Sequence, residues 1–367
     1  MDKYIFTSES VSDGHPDKVA DQISDALVDA GLKNGDRTTR VAIETLVTTN
    51  HVTLAGEVKN FNVSEEEIES IVRNKVKQIG YEQDGFHWNS LTIDNKTINN
   101  KLHSQSADIA LGTDEFGAGD QGIMFGYANR DNDAYLPAPI YYSHEILKKL
   151  KDLREHNSLL LPDAKSQVSV EYLGDRVQRI DQVVVSTQHA KNLCNEARQL
   201  CKKAAMEVLG DLVDDRTVWH LNPTGNFEVG GPDGDTGLTG RKIIVDTYGG
   251  WAPHGGGAFS GKDPTKVDRS AAYMARWLAK NVVASEMSDW CQIQLSYAIG
   301  VKEPTSIYVE SNGHNRTIEK FIRNNIDLTP LGIIDRFDLF KYNNYSKNCI
   351  YGHFGNKDVP WEKIGWE

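Results

Sequence analysis

Two short strands followed by a helix recur three times along the chain, and this recurrence constrains the fold more than any other feature. In the first round, β-branched residues within 41–58 predict a hairpin that turns at 49–51. Ser64 opens a capping box, and the apolar stripe after it predicts a helix that ends before Gly80. An amphipathic helix over 17–33 is predicted to precede this round.

The other two rounds follow from the same periodicities. Helices are predicted near 143–156, 189–209, 268–285 and 317–326, and strands at 168–172, 183–186, 242–246, 292–298 and 306–310. Residues 98–122 are polar, glycine-rich and weakly periodic, which favours a loop. Asp120 and Asp235 lie in turns that share the pattern x-Gly-Asp-x-Gly, which fits either duplication or chance. The sequence therefore predicts an α+β fold of three similar domains.

Composition places the chain among ordinary globular proteins. Its 367 residues suit two to three domains, and 39% hydrophobic with 25% charged residues exclude disordered, collagen-like and disulfide-scaffold classes. The net charge of -12 opposes a nucleic-acid surface spread over the whole molecule. No segment has the pattern of a signal peptide or a membrane span, and the four cysteines lack metal or redox spacing. We expect a cytoplasmic protein that requires neither nucleic acid nor membrane.

Glycine is concentrated in one stretch of the chain. Twelve of the 31 glycines fall within residues 225–261, together with or beside the cations Arg241, Lys242, Lys262 and Lys266. Glycine lets backbone amides approach a ligand, and Arg and Lys supply charge-assisted hydrogen bonds to phosphate. This stretch therefore predicts a local phosphate site, and a solvated, turn-rich surface is the alternative.

Residues 256–263 nearly match the P-loop pattern of nucleotide hydrolases. Asp263 stands where the magnesium-binding hydroxyl belongs, and Pro253 with its neighbouring glycines excludes the strand that must precede a P-loop. We therefore exclude a standard P-loop and keep the phosphate site.

A second concentration of charge lies at residues 12–18, where a helix begins. It contains His15, Asp17 and Lys18, and the free N–H groups of a helix start favour anions. An N-cap aspartate with a surface histidine is the alternative. Because Mg²⁺ usually takes one or two carboxylates together with phosphate oxygens, Asp17 and Asp268 are candidate ligands.

Several motifs, in order, carry a resemblance to a known family along essentially the full length. They are FTSESVS at 6–12, GHPDK at 14–18, GAGDQG at 117–122, PDAKSQ at 162–167, GLTGRK at 237–242, the glycine run ending in Lys262 and Asp263, and KVDRS at 266–270. One such motif alone could mislead, but the ordered set is specific. The chain resembles the S-adenosylmethionine synthetase (methionine adenosyltransferase) family.

The resemblance implies three similar α+β domains around a pseudo-threefold axis, which we place at 1–102, 114–229 and 231–367, with a mobile active-site loop at 103–113. It implies active sites between two subunits, so a homodimer, or a tetramer of two dimers, is expected. The implied reaction is attack of the methionine sulfur on C5′ of ATP, followed by cleavage of the triphosphate to phosphate and diphosphate. Mg²⁺, with two ions per site, and K⁺ are the implied cofactors.

Residue roles carry over motif by motif. The resemblance implies that His15 polarises the oxygen leaving C5′ and that further catalytic cations hold the phosphates, namely Lys165, Arg241, Lys242 and Lys262. Asp17 and Asp268 would bind Mg²⁺, and Glu44 would bind K⁺. The other implied ATP contacts are Asp163, Asn226, Phe227, Asp235 and Ala258. The implied methionine contacts are Glu57, Gln105, Asp120, Asp235, Lys266 and Ile299.

Two departures and two rival functions accompany the resemblance. Asn226 stands where the family usually has Arg, which predicts weaker ATP binding, and the segment 105–117 is shorter than the family's usual gating loop.

The rival functions are a catalytically inactive nucleotide-binding subunit and a polyphosphate hydrolase. The complete set of charged residues disfavours the first, because a decayed site loses charges. Methionine dependence of triphosphate release distinguishes the second from a synthetase.

Overall fold

Three small sheets with helices packed on them form the fold. The computed structural model describes residues 2–82, 87–93, 98–104 and 117–366. Within these residues the strands are β1 Lys3–Val11, β2 Arg40–Thr48, β3 His51–Lys59, β4 Ile98–Ser104, β5 Gly122–Asn129, β6 Leu160–Leu173, β7 Arg176–His189, β8 Val218–Leu221, β9 Gly237–Leu238, β10 Trp290–Tyr297 and β11 Ser306–Ser311. The helices are α1 Pro16–Asn34, α2 Glu65–Ile79, α3 Ala138–Glu155, α4 Cys194–Leu209, α5 Ile243–Asp246, α6 Val267–Ala284, α7 Asn315–Asn325, α8 Pro330–Phe337 and α9 Tyr345–Asn348.

Local sequence explains the elements of the first round. Pro16 occupies the first turn of α1, where its missing N–H removes no helical hydrogen bond. Ser64 caps α2 in a capping box, and Gly80 ends that helix in the left-handed conformation, with φ of 106°. β2 and β3 pair as a hairpin, and Asn50 in its turn has a positive φ of 51°. These elements confirm the predicted hairpin and helices.

Each sheet contains a strand from a distant part of the chain. The sheet orders are β1-β6-β7-β8, β4-β3-β2-β9 and β11-β10-β5. β1 pairs with β6, β5 pairs with β10, and the two-residue β9 pairs with β2. The three α+β units are therefore tied to one another by backbone hydrogen bonds.

Two hydrophobic cores lie beneath the sheets. One is formed by β6 and β7 with α3 and α4. The other runs through the remaining two sheets and includes α1, α2 and α6. Among the described residues, no helix has both the length and the apolar character needed to cross a membrane.

The predicted α+β class with three similar domains is confirmed, whereas two local predictions are wrong. Residues 243–246, expected in a strand at 242–246, form the single turn α5. The amide of Asp246 donates to the carbonyl of Lys242 at 2.9 Å, and the Asp246 side chain meets a buried lysine, so tertiary contacts override the β-branched composition. Residues 98–104, expected in a loop, form β4 because β3 offers a free edge for parallel pairing. Most of the expected loop at 103–113 lies outside the described residues.

Candidate active site

Four predicted site residues meet where α1 begins; we call His15, Asp17, Arg241 and Lys242 the helix-start cluster. His15 is the N-cap of α1, and its Nδ1 accepts a hydrogen bond from the Asp17 amide at 3.2 Å. The Asp17 carboxylate accepts from Lys242 Nζ at 2.5 Å and from the amide of Leu238 at 3.0 Å. Arg241 Nε lies 3.8 Å from the same carboxylate. The histidine, the carboxylate and both cations thus converge on one helix N-terminus, which favours anions.

Burial fixes the state of His15. Its removal from water, together with the charge of nearby Lys242, lowers the pKa of His15 to about 3, although Asp17 opposes this shift. The imidazole is therefore neutral at physiological pH. Because Nδ1 accepts the Asp17 amide, the ring proton is on Nε2, which is free to donate.

Asp17 remains ionised despite being buried. Burial by itself would raise the pKa of this carboxyl, but hydrogen bonds from Lys242 and from the Leu238 amide hold the pKa below its usual value. A charged carboxylate that is paired with a lysine suits a metal site. A metal ion would replace the lysine at the carboxylate, and phosphate oxygens would complete the shell of the metal.

Asp163 and Lys165 stand on β6 beside this cluster. Oδ2 of the buried Asp163 accepts from the Gly231 amide at 2.8 Å, whereas its buried Oδ1 has no hydrogen-bond partner in the part of the chain that the structure describes. Burial raises the pKa of Asp163 to about 6; the Gly231 amide lowers it, and the charge of Asp235 adds to the rise. Lys165 is exposed and contributes to the low pKa of His15.

The predicted adenine contacts lie on a loop next to β7. The Phe227 amide donates to Nε2 of His189 at 3.0 Å, and the Phe227 ring is half-buried. A Cβ at Gly230 would lie 2.9 Å from this ring, so glycine keeps the ring in place. The neighbouring Asn226 is exposed. Ala258, another expected ATP contact, lies close to Gly240: a Cβ at Gly240 would lie 2.7 Å from Cβ of Ala258.

A second group of predicted residues forms where the glycine-rich stretch ends; we call Lys262, Asp268 and Glu44 the glycine-loop cluster. Lys262 Nζ donates to the Asp268 carboxylate at 2.6 Å, and the backbone of Lys262 bridges to Ala42 on β2. Glu44 is on the same strand, and burial raises its pKa although Lys262 lowers it. Among the described residues, no hydrogen bond or ion pair joins this cluster to the helix-start cluster.

Asp263, the residue that spoils the P-loop pattern, has a structural role. Its fully buried carboxylate accepts from the Val41 amide at 2.7 Å and from Lys266 Nζ at 2.7 Å. The rejection of a P-loop therefore agrees with the geometry. Lys266, an expected methionine contact, is held by this ion pair.

The remaining expected methionine contacts lie at the surface, and the backbone of Ala118, two residues before Asp120, bridges to Ile299. Glu57 lies 3.7 Å from His103, Asp120 accepts from the Gln121 amide, and Ile299 is 64% exposed. Gln105 lies outside the described residues.

A cavity of about 930 Å³ elsewhere in the chain has Tyr127, Trp251 and Trp290 in its walls and none of the predicted site residues.

Comparison with known proteins decides the family. Models of the N-terminal, central and C-terminal domains of S-adenosylmethionine synthetase match residues 3–107, 115–227 and 229–363. The S-adenosylmethionine synthase of Paramagnetospirillum magneticum (strain ATCC 700264 / AMB-1) is 53% identical over 378 residues, covering 99% of this chain and 96% of that protein. S-adenosylmethionine synthase 2 of Rhodopseudomonas palustris (strain BisB18) is 50% identical over 388 residues, covering 99% and 96%. The S-adenosylmethionine synthase of Methylobacterium sp. (strain 4-46) is 53% identical over 381 residues, covering 99% and 95%.

The chain belongs to the S-adenosylmethionine synthetase family. Membership confirms the expected family, and with it the enzyme class, a transferase. The matched domains follow one another in the order of the three α+β units.

The carboxylates of this family member suit a metal that phosphate helps to bind. Within residues 2–82, 87–93, 98–104 and 117–366, no three His, Cys, Asp or Glu side chains are grouped so as to hold a metal by themselves. Asp17 and Asp268 each offer one carboxylate next to a lysine. Such a donor set fits Mg²⁺, which takes few protein ligands and completes its shell with phosphate and water oxygens.

Sequence reasoning missed a row of aspartates along α1. Asp13, just before the helix, and Asp17, Asp21, Asp25 and Asp29 recur every fourth residue, so they share one helix face. Their partners are distant in sequence: Arg154 for Asp13, Lys242 for Asp17, the Gly240 amide for Asp21, Arg269 for Asp25 and the Tyr345 amide for Asp29. The spacing of four was visible in the sequence, but acidic residues at that spacing usually indicate a solvated face.

Proposed function

We propose that the chain makes S-adenosylmethionine from ATP, methionine and water. The methionine sulfur attacks C5′ of ATP, the bond between C5′ and O5′ breaks, and the electron pair leaves with the triphosphate. Water then cleaves the triphosphate to phosphate and diphosphate. The observation that carries this proposal is the helix-start cluster, where a neutral histidine donor meets Lys242, Arg241 and the ionised carboxylate of Asp17.

His15 acts on the leaving oxygen. Its Nε2–H donates to O5′ as negative charge develops there, and a donor that is already oriented by the Asp17 amide stabilises that charge without reorganisation. A neutral imidazole can donate without first losing or gaining a proton, so the step needs no general acid.

The triphosphate is held by cations from both clusters. Lys165, Arg241 and Lys242 stand near His15, and Lys262 supplies a charge from the glycine-loop cluster. Asp17 and Asp268 would hold Mg²⁺, two ions per site, and Glu44 would hold K⁺; bound Mg²⁺ neutralises charge on the phosphate oxygens. Lys242 and Lys262, which are paired with these carboxylates in the free protein, would then turn to the phosphate oxygens.

The remaining contacts recognise the two substrates. Asp163, Asn226, Phe227, Asp235 and Ala258 would contact the nucleoside, and the unpartnered Oδ1 of Asp163 supports a hydrogen bond to it. Glu57, Gln105, Asp120, Asp235, Lys266 and Ile299 would surround methionine. The 64% exposed Ile299 gains an apolar neighbour when a thioether side chain binds.

A homodimer with sites at its interface fits the separation of the two clusters, as does a tetramer built from two such dimers. In one chain the two clusters share no hydrogen bond or ion pair among the described residues, so each would form half of a phosphate site. Two copies related by a two-fold axis would bring the helix-start cluster of one to the glycine-loop cluster of the other.

We also propose a cytoplasmic location. The four free thiols support it, because cytoplasm keeps thiols reduced.

The test is product balance. Purified protein is incubated with ATP, labelled methionine, Mg²⁺ and K⁺, and S-adenosylmethionine, phosphate and diphosphate are quantified together, with methionine omitted in a parallel reaction. Equal amounts of the three products, absent without methionine, support the proposal. Phosphate without S-adenosylmethionine would make the chain a polyphosphate hydrolase. ATP binding without any product would make it an inactive subunit.

A further inference from the structure

Directly behind the helix-start cluster lies a buried lysine that the proposed reaction does not use. Lys18 is fully buried in the first turn of α1, one residue after Asp17. Its ammonium forms ion pairs with Asp21 at 2.9 Å and with Asp246, and donates to the Cys349 carbonyl at 2.6 Å. Three acceptors thus surround an ammonium that has three N–H donors.

The partners of α1 lie at both ends of one short segment, residues 240–246, which we call the phosphate segment because it carries Arg241 and Lys242. At its start, the Gly240 amide donates to the Asp21 carboxylate at 2.9 Å. At its end, Asp246 is bound by Lys18. Between them, the Asp246 amide donates to the Lys242 carbonyl at 2.9 Å, so the ion pair also fixes the backbone of Lys242.

Among the described residues, Asp17 is the one side chain of α1 that bonds to Lys242. The proposed function assigns this carboxylate to Mg²⁺ and Lys242 to phosphate, so their mutual bond breaks when substrate binds. The pair of Lys18 and Asp246 is buried and therefore lies away from that exchange.

We propose that Lys18 and Asp246 are positioning residues: their buried ion pair holds the phosphate segment against the start of α1 while Asp17 and Lys242 exchange partners. The proposal rests on the proposed function, because it assumes that Arg241 and Lys242 bind the triphosphate. Misplacing a binding group by about 1 Å can cost on the order of 100-fold in rate.

The variants are Lys18→Met and Asp246→Asn, with Lys280→Met as the matched control. Lys280 is also a buried lysine, bound to the carboxylate and the carbonyl of Glu362, and it touches no predicted site residue. For each protein one measures kcat, the KM values for ATP and methionine, the Kd for tripolyphosphate by calorimetry, and the melting temperature.

We expect Lys18→Met and Asp246→Asn to raise the KM for ATP and the Kd for tripolyphosphate by about tenfold or more and to leave the KM for methionine within about twofold. Lys280→Met should lower the melting temperature without these shifts. A tripolyphosphate Kd that stays at the wild-type value, or that shifts equally in Lys280→Met, overturns the inference. A wild-type protein that makes no S-adenosylmethionine would instead defeat the proposed function.

Hydrogen exchange of the wild-type protein tests the same inference without relying on a variant that folds. The amides of Gly240 and Asp246, which donate to the Asp21 carboxylate and to the Lys242 carbonyl, should be protected to the same extent before and after tripolyphosphate is added, because the ion pair exists in the free protein. Rapid exchange of these amides in the free protein, slowed only by tripolyphosphate, would show that the ligand rather than Lys18 positions the phosphate segment, and the inference would fall.

Discussion

Burial gives His15 its chemical character. An exposed histidine is partly protonated near neutral pH, whereas His15 has a pKa of about 3 and is neutral. The Asp17 amide then selects the tautomer that donates from Nε2. One side chain therefore presents a fixed, uncharged donor to the leaving oxygen throughout the physiological pH range.

Replacing His15 with alanine should lower kcat for adenosyl transfer by about 100- to 1,000-fold, as loss of one oxyanion donor does elsewhere. The KM for methionine should change little, since His15 acts at C5′ rather than on the sulfur substrate. His220→Ala on β8 is the control, with wild-type kinetics expected. Steady-state rates decide, and undiminished kcat in His15→Ala would remove this residue from the mechanism.

Asp163 should impose a pH dependence on ATP binding. Burial raises its pKa to about 6, so the carboxyl takes up a proton as the pH falls through 6, and a protonated Oδ1 would donate to the nucleoside instead of accepting from it. We expect kcat/KM for ATP to fall below about pH 6 in the wild type and to lose this inflection in Asp163→Asn. A pH profile that is identical in both proteins would contradict this role.

Ionisation of the Asp163 carboxyl, which should favour ATP binding, should lower the stability of the folded protein. The folded pKa of Asp163 is raised above its unfolded value of about 3.9, so its ionisation disfavours the folded state as the pH rises through 6. Asp163→Asn, which retains an acceptor for the Gly231 amide, should therefore raise the melting temperature by about 2–4 °C at pH 8 and by less at pH 5. Calorimetric melting at the two pH values measures the difference.

Asn226 provides a test that adds a charge. It is exposed next to Phe227, so an arginine at this position can reach a phosphate without entering the core. Asn226→Arg should lower the KM for ATP by about threefold to tenfold, the range of one charge-assisted hydrogen bond in partly solvated surroundings. Asn226→Gln controls for side-chain length. An unchanged KM in Asn226→Arg would mean that another residue supplies this contact.

At the scale of elements, α1 is the helix around which the site is assembled. Its row of aspartates binds a residue from α3, the phosphate segment, the first turn of α6 and the first residue of α9. Each carboxylate is paired, which offsets the high cost of burying it. The polar face of α1 therefore joins segments that hydrophobic contacts alone would leave free to shift.

Asp25→Ala should be the most destabilising simple change on α1. Asp25 and Arg269 are both fully buried and joined at 2.6 Å, and removing one member leaves the other charge unpaired. We expect a loss of about 3–5 kcal/mol in the free energy of unfolding, measured in urea. The exposed Asp152→Ala on α3 should change this energy by less than about 0.5 kcal/mol. A loss in Asp25→Ala as small as that of the control would refute the role of this pair.

At the scale of the whole molecule, the strand exchange links the three units. β1, β5 and β9 each belong to a sheet built mainly from another part of the chain. Backbone pairing of this kind makes each unit depend on its neighbours. The helix-start cluster is itself a product of this arrangement, since β9 brings residues 237–242 to α1.

Subunit complementation tests the shared active site. His15→Ala and Asp268→Ala should each be nearly inactive alone, since each damages every site. If one subunit supplies the helix-start cluster and the other the glycine-loop cluster, a heterodimer of the two variants contains one undamaged site. Random exchange at equal amounts should then restore roughly a quarter of wild-type activity.

The control mixture combines His15→Ala with Lys242→Met, which damage the same cluster and should restore nothing. Activity is measured after the homodimers are dissociated in mild denaturant and reassociated. Failure of the first mixture to regain activity, with mixed dimers shown by native mass spectrometry, would place a complete site within one chain.

Local sequence was sufficient for elements whose stabilisation is local. The capping box at Ser64, the left-handed Gly80 and the turn at Asn50 were readable because each depends on residues a few positions apart. The α5 turn was not, because the apolar and β-branched residues at 243–245 favour a strand, whereas the contact of Asp246 with Lys18, which is distant in the sequence, favours the helix. β1 was not predicted from local sequence either. It pairs with the distant β6, from Lys3 opposite Leu173 onward, and this pairing leaves no periodic pattern of apolar residues within β1 itself.

For the site, the sequence by itself determined which side chains are present, their family and the order of their motifs, since these follow from residue identity alone. Tertiary structure decided their chemical state and grouping. His15 is neutral because it is buried, Asp163 is left with an unpartnered oxygen, and the phosphate residues divide into two clusters. The physical reason is that pKa values and ion pairs depend on distances of a few ångströms between residues that lie up to hundreds of positions apart in the chain.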